Sequence, residues 1–303
     1  MSKNLSQWNK LLGNPDIAAG KFSHGYTQTK VYEYPEFFCE YYTQNNFPGK
    51  CQQVIKVVPK QGRDGKFPAV AVPFYYPEAM LGEIPATGEI LERYSEIRMM
   101  FDLVRRGYVA ISARAYHLTI YDSERDIDDF QRWYEAAENL QVMMPGLTGI
   151  GKLVLDTVFL VDMLCEDPRV DSSRLGIAGH SLGGKMAFYT GCLDPRIKVL
   201  LCSDFGLLWE QSNWEKPWYW GEKLQELQAA SIDHADLLAA SGNKPLALLA
   251  GKYDDERSLE MLKKSGYAEN SPGLRFINHA SGHRPPEWAL NEGYNFLDSF
   301  LLP

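Results

Sequence analysis

Arg174-Leu175-Gly176-Ile177-Ala178-Gly179-His180-Ser181-Leu182-Gly183-Gly184 is the stretch on which the reading of this chain turns. Residues 174–178 have the length and apolarity of a buried strand, and residues 184–191 carry a helical pattern. Between them lies a G-x-S-x-G pentapeptide, Gly179 to Gly183, in the strand–turn–helix context that the motif requires. A serine held on so tight a turn needs small neighbours, because bulky ones would clash with the strained backbone. The following helix N-terminus favours negative charge developing beside that serine. Ser181 is therefore the expected nucleophile.

Outward from this turn, strands alternate with helices. Residues 54–58, 67–74, 108–112, 197–202, 245–250 and 274–277 read as strands, and 61–65 as a turn. Residues 94–106, 150–165 and 287–301 have apolar positions at helical spacing, and the second helix is expected to stop before Asp167-Pro168. Alternation of this kind implies an α/β fold: a mainly parallel central sheet flanked by helices. Ligands then bind beyond the carboxyl ends of the strands. One domain over residues 1–303 is expected, with 1–48 as a polar, aromatic-rich N-terminal extension, a short helix at 6–12, and about 205–235 as a cap insertion.

A neutral serine is a weak nucleophile and needs a base. Of the histidines at 24, 117, 180, 234, 279 and 283, only His279 and His283 follow the last strand, where the order nucleophile, acid, base puts the base. His283 is preferred, because Gly282 frees its loop to aim the ring directly before the final helix. A carboxylate must orient that imidazole and stabilise its charged form. Asp254 is the expected acid, from its spacing after Gly251; Asp255 is its reserve, and Asp204 ranks behind both as a substitute or a loop cap.

Bulk properties exclude other classes. The 303 residues carry a net charge of -8 without a basic run, which argues against nucleic acid as a partner. No stretch approaches a membrane span, and the N-terminus does not read as a signal peptide. Five scattered cysteines lack metal-ligand spacing and read as reduced thiols, so a cytoplasmic protein with no metal and no organic cofactor is expected.

The order G-H-S-L-G-G, G-K-Y-D, G-H resembles the α/β-hydrolase superfamily. More narrowly, Asp167-Pro168-Arg169-Val170-Asp171 followed by residues 174–181 resembles its dienelactone hydrolase and acetyl xylan esterase branch, over roughly residues 50–301. The resemblance implies a carboxylic ester hydrolase with a short acyl group, acting on a small-molecule ester such as an acylated carbohydrate. It assigns Ser181 as nucleophile, Asp254 as acid and His283 as base. One oxyanion donor would be the Leu182 N–H and the other that of Tyr75, or Tyr76, where many relatives have His-Gly. Dienelactone hydrolases carry cysteine where this chain has Ser181.

The segment after Asp204 holds Trp209, Trp214, Trp218 and Trp220. These rings either wall the substrate pocket or pack the insertion onto the main body. Arg114, Tyr116 and His117 follow another strand, and either face the same mouth or brace the fold. The same triad would serve a peptidase of the prolyl-oligopeptidase type, although 303 residues leave no room for that type's propeller. A binding protein that merely keeps the scaffold is the alternative from another class.

Overall fold

The computed structural model describes residues 4–60, 65–120, 127–268 and 270–303. Its main sheet has nine described strands: β1 Tyr26–Glu33, β2 Phe37–Phe47, β3 Lys50–Pro59, β4 Phe67–Ala71, β5 Val109–Ala113, β6 Val170–His180, β7 Ile197–Ser203, β8 Leu246–Ala250 and β9 Leu274–Asn278. Their spatial order is β1-β2-β3-β5-β4-β6-β7-β8-β9. The first three strands and the β3–β5 pair are antiparallel, and every later pair is parallel.

Helices cover both faces: α1 Leu5–Leu11, α2 Pro15–Ala19, α3 Pro77–Leu81, α4 Met99–Arg105, α5 Asp129–Met143, α6 Gly149–Glu166, α7 Leu182–Leu193, α8 Lys223–Ala229, α9 His234–Ala240, α10 Glu256–Lys264 and α11 Glu287–Leu301. Helix α6 starts at Thr148, whose hydroxyl accepts the Gly151 N–H at 2.9 Å. It ends at Asp167, because Pro168 cannot continue it. It is buried on nearly every side, as are α7 and the strand β8. That burial explains their near-continuous apolar sequences.

Residues 26–47 are not a mere lead-in. They form β1 and β2, which extend the sheet at its antiparallel edge. The strand expected over 67–74 ends at Ala71, since the chain leaves the ladder near Pro73 and turns Phe74 and Tyr75 toward the sheet's carboxyl end. The helix expected from residue 94 begins at Met99, behind a short turn at Glu92–Tyr94. Most of the turn expected at 61–65 lies outside the described residues. Cys39, Cys192 and Cys202 are buried free thiols, Cys165 is half-buried and Cys51 is exposed. Among the described residues no helix is long and apolar enough to cross a membrane.

Candidate active site

Strand β6 delivers Ser181 to the carboxyl end of the sheet, and α7 begins at the next residue. Ser181 has φ 55° and ψ -117°, a conformation that L-residues avoid. Two glycines make the turn possible. A Cβ on Gly179 would lie 2.1 Å from the Gly183 carbonyl oxygen, and one on Gly183 would lie 2.2 Å from that of Pro73. The Ser181 N–H donates to Ser203 O at 2.8 Å, tying the turn to β7.

The Ser181 Oγ lies 3.0 Å from His283 Nε2, and His283 Nδ1 lies 2.6 Å from Asp204 Oδ2. Asp204 accepts a hydrogen bond from Nδ1–H, which keeps the proton on Nδ1 and leaves the Nε2 lone pair facing the serine hydroxyl. The His283 ring is held between two others: His180 at 4.5 Å and Tyr253 at 4.9 Å between centroids. Burial, reinforced by His283, holds the His180 imidazole down at about 3, so it packs there as a neutral ring. Its Nδ1 meets the Ser203 hydroxyl at 3.1 Å.

Asp204 is fully buried and follows β7 directly, with φ 43°. Burial pushes its carboxyl up, but the bond from His283 and the N–H groups of Asp254, Tyr253 and Lys252 outweigh this and hold it below its ordinary value. It is thus kept as the anion that an imidazolium needs beside it.

A cleft of about 400 Å³ opens above Ser181 and His283. Tyr75, Tyr76 and Tyr94 line one side, Phe130 and Trp133 of α5 another, and Asn213, Trp218 and Tyr219 overhang it from the segment between β7 and β8. Trp133 stacks on His117 at 3.8 Å and lies 5.9 Å from Trp218. Burial, with the Arg132 charge adding to it, holds His117 down at about 3. Among the described residues, no group of three or more His, Cys, Asp or Glu is arranged to hold a metal ion.

A sequence profile of the acetyl xylan esterase (AXE1) family matches residues 151–230, roughly a quarter of the chain. A protein of Bacillus subtilis (strain 168) named "Putative hydrolase YtaP" is 27% identical over 175 residues, covering 53% of this chain and 57% of that one. The match therefore spans little more than half of that relative. In three dimensions, the acetyl xylan esterase from Paenibacillus sp. R4 overlays with a TM-score of 0.66 at 15% identity, covering 99% of this chain and 96% of that one. The fold is that of an α/β-hydrolase. A glucuronoyl esterase from Solibacter usitatus shares it, with a TM-score of 0.66, 11% identity and coverage of 91% and 86%.

Within this fold the carboxylate that meets His283 is Asp204 and not the expected Asp254. Asp254 does not meet His283. Its Oδ2 accepts the N–H groups of Phe205 and Gly206 at 2.8 and 3.0 Å, and its Oδ1 those of Leu207 at 2.7 Å and the Ser258 hydroxyl at 2.9 Å. Both oxygens are committed, and the residue is fully buried beneath the loop that carries Asp204. The reserve, Asp255, caps α10 and binds Arg257. His279 turns to Ser281 instead of toward the serine.

The Trp-rich segment divides. Trp218 lines the cleft, whereas Trp209 and Trp214 do not, because their indole N–H groups donate inward to Ile232 O at 3.1 Å and Gly206 O at 2.7 Å. Tyr116 is also withdrawn: it is buried, with its hydroxyl on Trp218 O at 2.9 Å. Tyr75 reaches the cleft wall, and Leu182 contributes the first N–H of α7 while its side chain is buried. Helix α5 was not anticipated. Asp128 caps it, and apolar residues at 130, 133, 136, 137 and 140 are the signal that could have revealed it.

Proposed function

We propose that the protein is a serine hydrolase of carboxylic esters, with Ser181 as nucleophile, His283 as base and Asp204 as the orienting acid. The observation that carries this reading is the continuous bond path from Ser181 Oγ through His283 to Asp204 Oδ2, at 3.0 and 2.6 Å. His283 Nε2 takes the Ser181 proton as Oγ bonds to the ester carbonyl carbon, and the imidazolium gains the Asp204 charge. The oxyanion accepts the N–H groups of Leu182 and Tyr75, each worth about 3 kcal/mol in the transition state. His283 then protonates the departing alcohol, and water hydrolyses the acyl-enzyme by the reverse transfers.

The profile match to acetyl xylan esterases supports a short acyl group and an acylated carbohydrate as substrate. The aromatic walls of the cleft support the same reading, since planar rings such as Trp133 and Trp218 suit the faces of a sugar. The test is hydrolysis of p-nitrophenyl acetate and of an acetylated xylopyranoside by wild type and Ser181→Ala. Turnover of both by wild type and neither by the variant is expected. Equal rates in the two proteins would overturn the reading.

A further inference from the structure

Lys185 stands one helical turn after Ser181 on α7, a position at which an ammonium group has no business in the core unless something holds it. It is 2% exposed, and its Nζ lies over the rings of Trp214 and Tyr219, 4.0 and 4.2 Å from their centroids. Its hydrogen bond goes to the Asn213 side chain, Nζ to Oδ1 at 2.7 Å. Burial pushes the proton affinity of its amine well below the ordinary lysine value, against the pull of Glu215 and Asp254, and in either protonation state Nζ still donates.

The Asn213 Oδ1 faces Nζ, and the Ser212 hydroxyl donates to that same oxygen at 3.2 Å, so two donors orient the carboxamide. The Nδ2 amino group is therefore turned away from Lys185. Asn213 is exposed and lines the cleft that holds Ser181 and His283, and its amide also approaches the Tyr219 hydroxyl. An amide nitrogen carries two N–H donors, so at least one remains for a ligand even with the other on Tyr219.

We propose that Lys185 and Asn213 form a specificity pair: Lys185 fixes the Asn213 amide so that its NH₂ donates to a substrate oxygen outside the scissile ester, of the kind a polyhydroxylated alcohol carries. This rests on the ester hydrolase reading and deepens it. Asn213 touches the substrate, and Lys185 is a positioning residue that acts through it. The pair discriminates among esters without touching the reacting atoms.

The test compares kcat/KM for an acetylated xylopyranoside with that for phenyl acetate, whose alcohol carries no further oxygen. In Asn213→Ala the ratio of the two falls about tenfold, the loss of one hydrogen bond in a partly desolvated cleft. Asn213→Asp keeps the shape and the Lys185 bond but presents oxygen in place of NH₂, so its ratio falls at least as far. Lys185→Met lowers the ratio similarly, and the Lys185→Met/Asn213→Ala double variant falls no further than Asn213→Ala alone. Asn213 is exposed, so its variants report even if Lys185→Met fails to fold. An unchanged ratio in Asn213→Ala and Asn213→Asp, with wild type active on phenyl acetate, overturns the pair and leaves the hydrolase reading standing. Independent, multiplying losses in the double variant overturn the role of Lys185. A wild type inactive on both esters removes the reading and the pair together.

Discussion

Asp204 and Asp254 hold each other's loops. The Asp204 Oδ1 accepts the backbone N–H groups of Gly251, Lys252, Tyr253 and Asp254 at 2.8 to 3.1 Å, while the Asp254 carboxylate accepts those of Phe205, Gly206 and Leu207. Each side chain thus organises the turn that follows the other's strand. The clasp leaves a single carboxylate oxygen, Asp204 Oδ2, for His283. It follows from strand register: Ser203 of β7 is paired with Leu249 of β8, so the two strand ends lie side by side.

The two residues are therefore expected to differ sharply on substitution. Asp204→Asn removes the acceptor that sets the His283 tautomer, and kcat on p-nitrophenyl acetate should fall by about 10⁴. Asp254→Asn disturbs the same carboxylate only through the clasp, with a loss of about ten- to a hundredfold in kcat and a lowered melting temperature, since charge-assisted hydrogen bonds of about 1.5–3 kcal/mol are lost. The reverse ranking in steady-state kinetics would return the acid to Asp254.

Stability should depend on pH through Asp254. Burial pushes its carboxyl from the ordinary 3.8 up to about 6, against the bonds from Leu207, Gly206 and Ser258, and the Asp204 charge adds to the rise. The native state binds this proton more tightly than the unfolded chain. Its contribution is thus present in full below 3.8 and is lost as pH rises through about 6. Urea unfolding at about pH 7 and about pH 4.5 should show wild type gaining roughly 1–3 kcal/mol relative to Asp254→Asn on acidification. A difference that does not change with pH would contradict this.

Gly183 couples the turn to the loop that carries Tyr75, the proposed oxyanion donor. Its Cβ position is 2.2 Å from Pro73 O, so Gly183→Ala must displace the backbone that leads into Phe74 and Tyr75. A loss of about 10² in kcat is expected from the displaced N–H donor. Wild-type kcat in this variant would remove Tyr75 from the oxyanion site.

The tryptophans should separate stability from specificity. Trp214 is fully buried with its indole N–H satisfied, so Trp214→Ala should lower the unfolding free energy by about 3–5 kcal/mol. Trp218 lines the cleft, and Trp218→Ala should raise KM for the acetylated sugar more than for phenyl acetate. Thermal unfolding beside kinetics on the two esters reads both.

What could be read in the sequence was what is local. The elbow announces itself through the glycines around Ser181, of which Gly179 records a backbone approach to Gly183 only four residues on, and the buried strands and α6 are long apolar runs. The carboxylate that meets His283 was not legible, because Asp204 and Asp254 both follow strands and differ in which loop folds under the other. The expected spacing after Gly251 held, yet it delivered a loop clasp instead of a partner for His283. Strands β1 and β2 escaped notice because an edge hairpin alternates polar with aromatic residues and lacks a continuous apolar run. The tryptophan segment was ambiguous for another reason: sequence shows how many rings there are, but not where their N–H groups point.

Covalent labelling with a fluorophosphonate, followed by peptide mass mapping, tests the central claim most directly. One adduct per chain on Ser181 is expected in wild type, none in Ser181→Ala, and strongly slowed labelling in Asp204→Asn. Equal labelling of wild type and Ser181→Ala, or an adduct at another residue, would contradict the assignment of Ser181 as the nucleophile.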